Sequence, residues 1–141
     1  MNRHVTTCAL FALLFTAAIA RGQDIVIIAN PSVQISQISG AQLRKIFTGV
    51  RSRFDDGTRA VPVLLTGGPA HEVFLSKHIG DTAEEFQTRW RKLVFTGQGS
   101  MPRQFTSETA LLSSVAATPG AIGYVSRPPE GNAVKVLSVV P

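Results

Sequence analysis

Short uninterrupted apolar runs alternate along this chain with stretches whose apolar residues recur every three or four positions. That pattern predicts strands alternating with helices. Asp24 to Asn30 reads DIVIIAN, a β-branched run closed by Asn30-Pro31, and suits a strand buried on both faces. Ser39 is placed to cap a helix from about Gly40 to Phe47, with Leu43, Ile46 and Phe47 inward and Gly49 as its left-handed stop. Asp55-Asp56-Gly57 reads as a turn, and Val61 to Leu65 as a second buried strand. Pro69 suits the first position of a helix running to about Ile79 and stopping at Gly80. Asp81 or Thr82 can cap the next helix, each with a glutamate three positions on, Glu84 or Glu85. Phe86, Trp90, Leu93 and Val94 form its apolar stripe. After a loop from Gly97 to Pro102, a short strand is expected around Arg103 to Phe105. Ser107 then caps a helix with Leu111, Leu112, Val115 and Ala116 inward. Ala121 to Val125 and Val134 to Val139 are the last two strands.

Strands interleaved with helices predict an α/β domain with a mostly parallel sheet flanked by helices. Neither an internal repeat nor a low-complexity linker interrupts the series. The first 22 residues read differently. Arg3 and His4 make a short positive start, Ala9 to Ala20 is uncharged and apolar, and Ala18-Ile19-Ala20 is a small-x-small cleavage site. This predicts a signal peptide over 1–22, a domain over 23–141 and export to the periplasm. The apolar run is too short for a spanning helix, which needs about 20 residues. The single cysteine, Cys8, falls inside it without the flanking residues of a lipid attachment site, so the remainder relies on its core rather than on disulfides.

The formal net charge is +5, spread along the chain apart from Arg51, Arg53 and Arg59 around one turn and Arg89 to Lys92 on one helix. Without a polybasic block or aromatic interleaving, a nucleic-acid partner does not fit; a preference for anions does. Enzyme motifs are missing. His71-Glu72 has no histidine four positions on, and His71 and His78 stand about 10 Å apart on a helix, too far to share a metal. No Gly-x-Ser-x-Gly occurs, and Gly97-Gln98-Gly99 follows a helix and lacks a third glycine, so no dinucleotide site is expected. No enzyme, metal or cofactor is therefore expected.

The candidate chemistry is Thr66-Gly67-Gly68-Pro69-Ala70-His71. It follows a buried strand and opens a helix, which aims free N–H groups and the positive end of a helix dipole at one point. Thr66, Gly67, Gly68, Ala70 and His71 are candidate anion-binding residues, with His71 as a further donor; the same letters also make an ordinary strand-to-helix turn. Arg51 and Arg53 either contact an anion or an acidic partner surface, or are simply solvated. Tyr124 lies in the core or at a cleft edge.

Two longer stretches, Gln42-Leu43-Arg44-Lys45-Ile46-Phe47-Thr48-Gly49 running on through Asp56-Gly57-Thr58-Arg59-Ala60-Val61-Pro62-Val63, and Thr118-Pro119-Gly120-Ala121-Ile122-Gly123-Tyr124-Val125, resemble in this order the phosphate-type solute-binding proteins of bacterial ABC importers. The resemblance covers most of the chain after the leader but only one lobe of those two-lobed proteins, and implies a single PBP-like lobe. The implied function is periplasmic binding of phosphate or a related oxyanion for ABC-type uptake; the alternative is a single-lobe envelope interaction module that no longer serves transport. The implied partners are a small phosphate-like anion and a membrane transporter or envelope protein, with a homodimer as one way to supply the missing wall. Where that family carries Ser-Gly-Thr after an arginine, this chain has Gly67, Gly68, Pro69 and Ala70 after Leu64-Leu65. The implied anion is thus held by backbone amides.

Overall fold

The computed structural model describes residues 24–141. The leader expected over 1–22 lies outside them. Strands β1 (Val26–Ala29), β2 (Gln37–Ser39), β3 (Val61–Leu65), β4 (Arg103–Phe105), β5 (Ala121–Val125) and β6 (Lys135–Val140) form one sheet in the order β2-β6-β1-β5-β3-β4. β2 pairs with β6, β3 with β4 and β3 with β5 in parallel, whereas β1 is antiparallel to both β5 and β6. Five strands thus share one direction and central β1 opposes them. An apolar run such as DIVIIAN shows burial but not direction, so this exception was invisible in the sequence.

Helices α1 (Gly40–Phe47), α2 (Pro69–Phe74), α3 (Ala83–Phe95) and α4 (Glu108–Ala117) flank the sheet. On one face α4 lies close over β5: a Cβ on Gly123 would stand 2.9 Å from Leu111 and 3.3 Å from Val115, so glycine sets the approach. The next residue, Tyr124, turns to the other face and stacks on Phe74 with ring centroids 3.9 Å apart. Phe47 meets Phe74 edge-on at 4.8 Å, which joins α1 to the same aromatic cluster.

Local signals agree with these elements. Ser39 Oγ accepts the Gln42 N–H at 3.1 Å while Gln42 Oε1 accepts the Ser39 N–H, a reciprocal cap on α1. Thr82 and Glu85 do the same for α3. Asp81, the other cap the sequence allowed, instead accepts two bonds from Arg89 at 3.1 Å. Gly49, at φ 77, ends α1.

Three expectations need correction. The helix from Pro69 is α-helical only to Phe74 and continues as a wider π-helical turn, Leu75–Ile79, in which the Gly80 N–H reaches back five residues to the Leu75 carbonyl at 2.7 Å. Val94 is 45% exposed, so the buried stripe of α3 narrows to Phe86 and Trp90 with Leu93 at its margin. β2 was not expected: three residues, QIS, are too few to show alternation, and the strand exists because β6 offers it an edge.

Candidate functional site

β3 delivers the chain to Thr66, Gly67 and Gly68, and Pro69 opens α2 at once. Thr66 donates its N–H to the Phe105 carbonyl at 2.9 Å, which anchors the turn to β4. Gly68 has φ 94 and ψ 173, a conformation that only glycine adopts without strain, and it lets the chain reverse into the helix. No side chain caps α2. The N–H groups of Gly67, Gly68, Ala70 and His71 carry no hydrogen bond to another described residue. A Cβ on either glycine would meet nothing within 4 Å, so the front of the turn is open. The turn borders a shallow hollow of about 260 Å³ shared with Thr106 and Glu108.

His71 is buried, and its Nδ1 lies 2.5 Å from the Tyr124 hydroxyl. The same hydroxyl oxygen accepts the Leu65 N–H at 3.0 Å. Burial holds the His71 pKa below its ordinary value, against a smaller opposing effect of Glu72, and pushes the Tyr124 phenol up. A neutral ring accepts the phenolic proton at Nδ1 and keeps its own on Nε2. His71 therefore contributes its backbone N–H at the turn, while its Nδ1 serves the core. Tyr124, left open between core and cleft edge, is core.

Sequence reasoning missed Glu108. Its carboxylate accepts the Ser126 N–H and, at 2.8 Å, the Ser126 hydroxyl, and it lines the hollow in front of the glycines. In the sequence it reads only as an acidic first-turn residue of α4.

Arg51 and Arg53 are not brought to this turn. They precede β3, whereas the glycines follow it, and five residues of strand separate the two ends by roughly 15 Å. Arg51 pairs with Asp55 at 2.7 Å, and Arg53 donates to the Gly57 carbonyl at 2.8 Å. Asp55 and Asp56, read as turn residues, do bind the turn: Asp56 accepts the N–H groups of Thr58 and of distant Gln34. Among the described residues no group of three His, Cys, Asp or Glu side chains could hold a metal ion, and no helix is long and apolar enough to cross a membrane.

No protein-family model matches the chain, and no curated protein matches it in sequence. Solved structures do match. A protein described as a phosphate ABC transporter substrate-binding protein from Clostridium perfringens, solved with phosphate bound, superposes with a TM-score of 0.64 at 19% identity. PstS from Borrelia burgdorferi gives 0.59 at 20% identity. An ABC-type phosphate transport receptor from Vibrio cholerae gives 0.54 at 14%. The fold is that of one lobe of a phosphate-type substrate-binding protein. The matches cover 82% of this chain but 44%, 46% and 45% of those three proteins, so the chain spans less than half of their length.

Proposed function

We propose that this protein is a periplasmic solute-binding protein that takes phosphate or a related oxyanion at the turn from Thr66 to His71, in the service of ABC-type uptake. The supporting observation is the one-lobe fold shared with phosphate substrate-binding proteins, on which unpartnered N–H groups converge at a glycine turn. On this lobe taken alone the anion stays in contact with water, where its hydrogen bonds compete with hydration, so the isolated lobe holds it weakly. Glu108 adds a preference. A carboxylate beside the site accepts a hydrogen bond from a protonated phosphate and repels sulfate, which has no proton to offer. Calorimetric titration of the exported protein with phosphate and sulfate tests this reading. Saturable phosphate binding that is lost in Gly67→Val supports it; silence at millimolar phosphate removes it.

The second reading, an envelope interaction module without transport, is favoured by one observation. Arg51, one of the two arginines expected to assist the anion, lines a different surface, at the opposite end of β3.

A further inference from the structure

At the start of β3 the loop after α1 and the loop after α3 enclose a hollow of about 400 Å³. Trp90 and Pro62 contribute apolar lining, and Arg51, Arg59 and Arg103 contribute three guanidinium groups, while no aspartate or glutamate lines it. Arg51 has Asp55 as a partner, but Arg59 and Arg103 make no ion pair among the described residues. Such a surface holds positive charge against an apolar wall, and it fits an occupant that is acidic and partly apolar.

The hollow does not end at its rim. Met101 lines it and also a second hollow of about 500 Å³, which it shares with Arg91, Val94 and Phe95. Phe95 is 92% exposed at the last position of α3, an unusual place to leave a phenylalanine. The two hollows and the aromatic ring make one basic and apolar surface that is longer than a small molecule needs. Its concave parts suit a protruding segment better than a flat lipid surface. A second copy does not fit: a two-fold contact would bring these arginines against one another.

We propose that this surface docks an extended acidic segment of a partner protein, with apolar side chains set against Met101 and Phe95 and carboxylates against Arg59 and Arg103. The proposal does not depend on anion binding at the glycine turn.

Fluorescence anisotropy of the exported protein with a labelled peptide of alternating acidic and leucine or phenylalanine residues tests it. Saturable binding is expected, weakening by about tenfold when Arg59→Glu and Arg103→Glu are combined, since charge reversal converts attraction into repulsion. Phe95→Ser weakens it by severalfold without lowering the melting temperature, because the ring packs on little. Replacing the apolar residues of the peptide by serine, or the acidic ones by lysine, abolishes binding. Gly67→Val leaves it unchanged, which separates this surface from the glycine turn. Equal affinity in the Arg59→Glu, Arg103→Glu variant, or no saturable binding, overturns the proposal. So does preferential binding to phosphatidylglycerol vesicles, or displacement of the peptide by inorganic phosphate at matched ionic strength.

Discussion

His71 Nδ1 and the Tyr124 hydroxyl meet 2.5 Å apart in the core, and the hydroxyl oxygen also accepts the Leu65 N–H at the last residue of β3. One phenol thus ties the end of β3 to the first turn of α2 and fixes the glycines between them. Tyr124→Phe leaves a buried backbone N–H and a ring nitrogen without partners, so stability falls by about 1–3 kcal/mol. Urea unfolding of the variant measures this; an unchanged midpoint would contradict the arrangement.

Two histidines, His71 and His78, make stability depend on pH. Burial holds the folded-state pKa of both His71 and His78 below the ordinary 6.5. With the folded value lower than the unfolded one, the neutral ring is favoured by folding. The stability is present above about pH 6.5 and is lost as pH falls from there through the depressed folded values, because the unfolded chain binds protons first. Melting temperatures should therefore decline from about pH 7.5 to about pH 5, and less steeply in His71→Gln. A flat profile across that window would count against the buried neutral rings.

Trp90 is 4% exposed, and its indole N–H donates to the Phe47 carbonyl at 3.0 Å, joining α3 to the last turn of α1. Trp90→Ala removes a large buried ring and should cost about 3–5 kcal/mol. Differential scanning calorimetry reads the loss. Trp90→Phe retains much of the apolar contact but leaves the carbonyl unpaired, and should fall between the two.

The proposed anion binding should separate into backbone and side-chain parts. Thr66→Ala should weaken phosphate by no more than about 1 kcal/mol, the worth of one ordinary hydrogen bond. Gly67→Val should abolish it, since the new side chain fills the open approach at a residue whose backbone does not need positive φ. Gly68 is a poorer probe because its φ of 94 adds strain of its own. Glu108→Gln should narrow the preference for phosphate over sulfate in competition titrations. If Gly67→Val binds as the parent does, the anion site is elsewhere.

The expected leader is open to a direct test. Edman sequencing of the protein recovered from a periplasmic fraction should begin near Arg21 or Gln23. An intact Met1 in the inner-membrane fraction is the opposing result.

Much of this fold was legible because its signals are local. Ser39 as a cap, Thr82 with Glu85, and Pro69 at a helix start are short-range hydrogen-bonding and dihedral preferences, and they placed α1, α2 and α3 within a residue or two at their starts. The glycine turn was legible for the same reason. What was not legible depends on contacts between distant segments. The direction of β1, the existence of β2, the approach of Glu108 to the turn and the inward rotation of the His71 ring toward Tyr124, 53 residues away, are all set by packing. The separation of Arg51 and Arg53 from the glycines follows from the length and direction of β3. Their position in the sequence, just before a strand whose far end carries the turn, could have shown it.

The pairing of β1 carries a consequence for how the polypeptide comes together in time. β1 opens the described chain, yet both of its neighbours, β5 and β6, are made last, and β2 has no neighbour but β6. Early-emerging strands must therefore wait for late ones, and closing so long an intervening segment makes assembly slow relative to a fold built from local contacts. Until Lys135 to Val140 arrives, β1 presents a bare hydrogen-bonding edge and β2 has no seat. A polypeptide ending before Lys135 would stay in that unfinished state, open to proteases and prone to pair with its own kind.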